Sequence, residues 1–194
     1  GPMAGDQLLQ AAARRITNTL RSDCPAARLG GDEFGVILPD IASSDEINKV
    51  AKRLIAAISA PYMIQGQRAI IGASIGIAVA PGDGDEADQL VRNANLALSQ
   101  AKLSDKGSFR YFEPEMDVRA QGRRRLEADL RTAIDNDELA VHYQPLVTLS
   151  TGRIIGAEAL ARWPHGERGV VPPSEFIPLA EDAGLIWRLG RAVL

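Results

Sequence analysis

Ala27-Arg28-Leu29-Gly30-Gly31-Asp32-Glu33-Phe34-Gly35-Val36-Ile37-Leu38 is the stretch on which the reading of this chain turns. Ala27 to Leu29 and Phe34 to Leu38 have the composition of two short strands, and Gly30-Gly31-Asp32-Glu33 reads as a four-residue hairpin connection between them. Glycines make such a turn sterically easy. Neighbouring side chains in a strand point to opposite faces, but at a tight turn the adjacent Asp32 and Glu33 carboxylates can converge. Two residues without side chains also let a bulky phosphate approach the backbone, and magnesium favours one or two carboxylates plus phosphate oxygens. The pattern points to nucleotide polyphosphate chemistry. An acidic turn that merely solubilises a hairpin fits the same residues equally well.

Upstream, Leu9, Ala13, Ile16 and Leu20 recur at helical spacing and predict a helix from Asp6 to Arg21. Downstream, Ser43 or Ser44 can cap a second helix whose stripe of Ile47, Val50, Ala51, Leu54, Ile55 and Ile58 ends before Pro61. Tyr62 to Ile64 and Arg68 to Val79 read as strands around a Gln65-Gly66-Gln67 turn, with Pro81-Gly82-Asp83-Gly84 closing the segment. A third helix is predicted from Glu86 to Leu103, followed by a strand from Ser108 to Phe112. Lys102 and Lys106, four apart near that helix end, share a face where two ammonium groups can meet a triphosphate tail. The residues by themselves favour a plainer reading, a solvated last turn that suits the helix dipole.

Beyond Phe112 the composition shifts at Pro114 to a charged stretch. Leu126, Leu130, Ala133 and Ile134 give it a narrow apolar stripe, which predicts a helix packing by one edge. Its arginines, Arg119, Arg123, Arg124, Arg125 and Arg131, could contact an anion, but a solvated, salt-bridged face shared with Glu127 and Asp129 is favoured. Leu139 to Val147 and Ile154 to Leu160 then read as strands around Ser150-Thr151-Gly152, with helices from Ser174 to Ala183 and from Trp187 onward. That alternation suggests the opening of a parallel α/β unit. It would put Glu158 and Arg162 at a strand's C-terminal end, the catalytic face of α/β barrels. Taken alone, a strand-end glutamate paired with Arg162 is as readily structural as functional.

Composition narrows the function classes. With 22 basic against 25 acidic side chains, a net charge of −3 and 45% hydrophobic residues, the chain is an ordinary globular sequence rather than a disordered one. It lacks the basic footprint of a nucleic-acid binder. The single cysteine, Cys24, allows no internal disulfide and hints at no thiolate metal site, which fits a reducing compartment and leads to a cytoplasmic expectation. No apolar run approaches the roughly 20 residues that span a bilayer. Gly1-Pro2-Met3 looks like a cloning scar, and the abrupt start at Ala4 suggests an excised fragment.

Gly30-Gly31-Asp32-Glu33-Phe34 resembles the signature of the GGDEF family, diguanylate cyclases that condense two GTP molecules into cyclic di-GMP. The resemblance extends through Gly5-Asp6-Gln7-Leu8-Leu9, Arg28-Leu29, Ser74-Ile75-Gly76-Ile77 and Ala101-Lys102 to Phe112. It implies that Asp32 binds metal and helps activate a ribose hydroxyl, that Glu33 assists at the same metal, and that Asp6 hydrogen-bonds guanine. Gly30 and Gly31 would admit the phosphates, and Lys102 and Lys106 match the family's phosphate-binding lysine and arginine. Lysine in place of arginine at 106, and Asp105 where glycine is usual, imply a weakened grip. Asn95 stands where aspartate is usual. The family's opening strand, with a further metal-binding aspartate, does not precede Gly5, so the fragment is expected to be a poor cyclase by itself. Many members carry an inhibitory Arg-x-x-Asp upstream of the signature. Arg21 falls at the arginine, but Cys24 falls where the aspartate belongs and Asp23 is one residue early, implying a degenerate inhibitory site.

Downstream, Glu158-Ala159-Leu160 resembles the name-giving motif of the EAL family, phosphodiesterases that linearise cyclic di-GMP to pGpG. Tyr143-Gln144-Pro145, Pro172, Glu175-Phe176-Ile177-Pro178, Ala180-Glu181 and Gly184-Leu185-Ile186 extend the match. It implies Glu158 as a metal ligand, Gln144 and Arg162 as dinucleotide contacts, and Leu160 lining the pocket. A whole barrel takes about 250 residues, so this tail is expected to be disordered, to pack on the first domain, or to pair with another copy. The organisation expected is thus a scar at 1–3, an N-terminally truncated GGDEF domain at 4–112, a linker helix at 113–137 and the N-terminal part of an EAL domain at 138–194. The fold class is mixed α/β (α+β), a sheet flanked by helices followed by an incomplete α/β barrel. Mg²⁺ or Mn²⁺ is the implied cofactor, GTP and cyclic di-GMP the small-molecule partners, and a homodimer the form needed for cyclisation. The competing reading is a non-catalytic regulatory module that binds GTP or cyclic di-GMP.

Overall fold

In the computed structural model, which describes residues 1–104 and 107–193, the chain divides into two compact units, Gly1–Asp117 and Val118–Leu194. The first begins with α1 (Pro2–Thr19), whose Ala12 and Ile16 are buried one turn apart. Pro2 and Met3, set aside as foreign to the fold, lie in its first turn, a position where the missing N–H of proline costs no hydrogen bond. β1 (Ala26–Gly30) and β2 (Glu33–Val36) follow as an antiparallel hairpin. α2 (Ser44–Ser59) buries Ile47, Ala51 and Leu54, half of the predicted stripe, and α1 packs on it. Its C-terminal carbonyls are closed by a residue from the other helix. The Arg15 guanidinium donates to the carbonyls of Ala57 (2.9 Å), Ala60 and Pro61 (2.7 Å), and stacks 3.6 Å from the centre of the Tyr62 ring. Carbonyls that the helix leaves without partners are thereby satisfied.

The long strand expected from Arg68 to Val79 is two short ones, β4 (Gln67–Ala69) and β5 (Ile75–Ile77). β3 (Tyr62–Ile64) is confined between Pro61 and the left-handed Gln65-Gly66 turn, so β4 finds only three residues to pair with. β5 instead pairs in parallel with β6 (Phe109–Tyr111), across α3 (Ala87–Ser104). Gly76 lets the α3 backbone lie directly on β5: a Cβ there would sit 1.9 Å from the Ala94 carbonyl oxygen and 2.3 Å from the Leu98 nitrogen. Neither atom can yield without moving the helix. Gly76→Ala is therefore expected to destabilise the first unit by about 3 kcal/mol, read as a lower urea midpoint with an unchanged slope.

α4 (Pro114–Asp135) runs through the division between the units. In the second unit its predicted stripe, Leu126, Leu130, Ala133 and Ile134, is wholly buried in a core with Trp163, Val171, Phe176, Leu179 and Leu189. Trp163 meets Phe176 edge-on at 5.9 Å, an arrangement that suits the ring quadrupoles. The strands are β7 (Ala140–Val147), β8 (Ile154–His165) and β9 (Gly169–Val171), followed by α5 (Pro173–Asp182) and α6 (Ile186–Val193). All three strands are antiparallel neighbours, not the parallel opening that strand–helix alternation suggested. The short links at 148–153 and 166–168 cannot carry a crossover, so they close hairpins. Pro145 is accommodated because β7 is an edge strand.

The tail together with α4 thus encloses a buried core, rather than being without ordered packing. The favoured reading of the arginine cluster holds, with Arg123 paired to Asp182, Arg125 to Glu167 and Arg131 to Glu127. Such exposed pairs contribute about 0–1 kcal/mol each. Among the described residues no helix is long and apolar enough to cross a membrane, and the mixed α/β class read from the sequence is the class observed.

Candidate functional site

The hairpin connection is shorter than its sequence suggested. Gly30 pairs with Glu33, so only Gly31 and Asp32 form the turn, and Gly31 takes a φ of +51° that a residue without a side chain adopts readily. Leu29 is the extra residue of a β-bulge between the Arg28–Phe34 and Gly30–Glu33 pairs. Glu33 is therefore committed to β2, and Asp32 alone stands at the tip. Both carboxylates are exposed. Among the described residues Asp32 makes no hydrogen bond or ion pair, while Glu33 Oε1 lies 3.9 Å from Lys102 Nζ at the end of α3. Three of the predicted site residues, Asp32, Glu33 and Lys102, are thus gathered at one end of the first unit. Lys106 and Asp105 lie outside the described residues.

Behind the turn, a cleft of about 370 Å³ separates α1 from the hairpin. Asp6, Gln10 and Ala13 line it from the helix, and Ala27, Arg28 and Phe34 from the strands. Asp6 is thereby set on the same cleft as the root of the carboxylate turn. A role for Arg28 was missed by the sequence reading. Its Nε and Nη2 both donate to the Gly31 carbonyl oxygen, at 2.9 and 2.7 Å. The available signal was a basic side chain two residues before the glycine pair.

Arg21 is already engaged. Its guanidinium donates to Asp23 Oδ1 at 3.2 Å, Glu46 Oε1 at 3.0 Å and the Pro39 carbonyl at 3.1 Å. The Cys24 side chain, accepting from it, and then the Asp23 carboxylate raise its basicity above the ordinary arginine value. It ties the end of α1 to the loop before α2.

In the second unit, Glu158 is the fifth residue of the twelve in β8 and not at its end, because the strand continues to His165. Glu158, Leu160 and Arg162 alternate along one face of β8, and Gln144 lies directly opposite Glu158 on β7. Trp163, on the other face, enters the core. The four predicted residues therefore share the sheet face that turns away from that core. The expected Glu158–Arg162 pairing is absent: Arg162 Nη1 donates to the Ala161 carbonyl at 2.9 Å, and four positions along a strand separate the two by about 13 Å. Among the described residues no cluster of three or more acidic, histidine or cysteine side chains forms a ready metal cage.

Comparison with known proteins agrees with both halves of this description. Residues 1–108 match the model of the family described as "Diguanylate cyclase, GGDEF domain", and residues 127–194 match the EAL domain. The bifunctional diguanylate cyclase/cyclic di-GMP phosphodiesterase MucR of Pseudomonas aeruginosa is 42% identical over 100% of this chain, which covers 28% of MucR. The cyclic di-GMP phosphodiesterase PdeR of Escherichia coli is 38% identical over 100% of this chain, which covers 29% of PdeR. The chain thus spans under a third of the length of these curated relatives. Among solved structures, the isolated GGDEF domain of TpbB (YfiN) from Pseudomonas aeruginosa is similar with a TM-score of 0.58 at 36% identity, covering 61% of this chain and 69% of that one. The S helix-GGDEF-EAL portion of Vibrio cholerae LapD shares the fold over 100% of this chain and 45% of its own, with a TM-score of 0.53 at 19% identity. The chain belongs to the diguanylate cyclase GGDEF-domain family, and a partial EAL domain follows in the same polypeptide.

Proposed function

We propose that the protein to which this chain belongs turns over cyclic di-GMP in the cytoplasm, making it from two GTP molecules at the GGDEF domain and linearising it to pGpG at the EAL domain. The observation that carries the first half is the tip of the β1–β2 hairpin, where the Asp32 carboxylate, without a partner among the described residues, stands next to Glu33, which lies 3.9 Å from a lysine on α3. The donor set fits a magnesium or manganese ion that completes its shell with ligand oxygens. Two exposed carboxylates, with no cluster of three or more such ligands among the described residues, suit an ion bound together with a triphosphate better than a closed protein cage. Bound there, the metal would neutralise phosphate charge and lower the pKa of the attacking hydroxyl.

This chain's own groups would do the rest. Asp32 accepts the proton of the ribose 3′-hydroxyl that attacks the α-phosphorus of the second GTP, and Gly31 keeps the turn free of side chains where the phosphates approach. Lys102 exchanges Glu33 for a phosphate oxygen. Asp6, on the cleft behind, accepts hydrogen bonds from guanine. Two such domains must face one another, because each supplies one GTP and the product is two-fold symmetric. In the second unit Glu158 would hold a metal, Gln144 and Arg162 would contact the dinucleotide, and Leu160 would flank it.

The test is to incubate the full-length protein separately with GTP and with cyclic di-GMP in Mg²⁺ and to identify the products chromatographically. Cyclic di-GMP with pyrophosphate, and pGpG, are the expected products. Nucleotide that binds but is recovered unchanged in both incubations would make the protein a regulatory binding module instead.

Product feedback through Arg21 is expected to be weak, because three of its five N–H donors are already taken by Asp23, Glu46 and Pro39 and a thiol supplies no carboxylate at position 24. Calorimetric titration of cyclic di-GMP into the full-length protein is expected to give the same isotherm with and without Arg21→Ala. Tight binding lost in that variant would restore the inhibitory site.

A further inference from the structure

We propose that Arg28 is a positioning residue for the carboxylate turn, acting by holding the Gly31–Asp32 peptide plane in a single orientation. The inference rests on the reading of Asp32 as the residue that engages metal and hydroxyl. Its basis is geometric. Arg28 Nε and Nη2 converge on one acceptor, the Gly31 carbonyl oxygen, at 2.9 and 2.7 Å. A guanidinium presents those two donors in a rigid plane, so the fork constrains the direction of the carbonyl as well as its distance.

The constraint passes to Asp32 through covalent geometry. The Gly31 carbonyl and the Asp32 N–H belong to one planar trans peptide and point in opposite directions. Drawing the oxygen toward Arg28 therefore aims the Asp32 N–H to the other side, where it has no acceptor among the described residues. It also limits rotation of the backbone from which the Asp32 carboxylate projects. Such a restraint is needed here. Gly31 sits at φ +51° in a two-residue turn, and a Cβ added there would meet no atom of the described residues within 4 Å, so none of them holds it by packing. Glycine in that setting has the largest freedom of any residue.

The bulge at Leu29 supplies the reach. An extra residue in β1 between Arg28 and Gly30 increases the local twist and re-aims the side chain that precedes it. Arg28 also lines the cleft behind the hairpin together with Asp6 and Phe34. It is thus shared by the cleft wall and the turn, and lies where nucleotide seated in the cleft and acid at the tip must be kept in register. Lysine cannot reproduce this arrangement, because a single ammonium lacks the planar pair of donors.

The experiment uses the full-length protein with Arg28→Ala, Arg28→Lys and, in parallel, Asp32→Ala. Cyclase kcat is measured from product formation. Affinity is measured calorimetrically with the α,β-methylene analogue of GTP, which cannot release pyrophosphate. Arg28→Ala is expected to lower kcat roughly 10- to 100-fold, the scale of a misplaced reacting group, while analogue affinity stays within about threefold. Arg28→Lys is expected to lower kcat at least about fivefold at unchanged affinity, and it carries the test should the alanine variant fail to fold. Unchanged kcat in the lysine variant overturns the proposal, as does a loss of analogue affinity that matches the loss of kcat in either variant. Full activity in Asp32→Ala would overturn the underlying site reading instead, so the two failures are distinguishable.

Discussion

Asp32→Ala in the full-length protein is expected to cut GTP turnover by roughly a hundredfold or more, the scale of removing an acid–base group from a reacting centre. That corresponds to about 2.7 kcal/mol of transition-state stabilisation. The expectation follows from where the side chain stands. Asp32 is one of only two residues in the turn between β1 and β2, it is exposed, and it makes no hydrogen bond or ion pair among the described residues. No fold-stabilising contact to the described residues is lost with it, so the thermal unfolding midpoint should stay within about 2 °C of the parent, as for a surface substitution away from structural features. Product formation and unfolding should therefore separate cleanly. Retained turnover with unchanged stability would assign the carboxylate a solubilising role and nothing more.

Glu158→Ala is expected to abolish cyclic di-GMP hydrolysis in the full-length protein while GTP conversion continues, since the two activities are assigned to separate ligands on separate units. The decisive readout is pGpG. Glu158 projects from the interior of β8 on the face opposite Trp163, with Gln144 across from it, so its removal leaves the core cluster untouched. Loss of hydrolysis by at least about a hundredfold is the expected result for a carboxylate that holds a metal or a proton at the scissile bond. Hydrolysis at the parent rate would reduce Glu158 to a strand residue with a solvent-facing side chain.

Much of this protein was determined by local sequence alone. Helical periodicity marked Ile16 of α1, though not the buried Ala12, as well as Ile47, Ala51 and Leu54 of α2 and all four buried residues of the α4 stripe, because a helix buries side chains that are close in sequence. The glycine pair and adjacent carboxylates marked a hairpin tip for the same reason, and their order matched a family signature. Strand partners were decided elsewhere. β5 pairs with β6 across the whole of α3, β3 stops where a left-handed turn stops it, and β7 to β9 run antiparallel because their links are too short for a crossover. The site divides along the same line. Asp32, Glu33 and Glu158 were visible as residue types in a motif, whereas three facts depend on register and on side chains meeting through space. Glu33 lies in β2 facing Lys102, Glu158 opposes Gln144 in mid-strand without reaching Arg162, and Arg28 grips the Gly31 carbonyl. A one-residue change of register reverses the face of every side chain in a strand, so those contacts belong to the tertiary structure and could not be read from spacing.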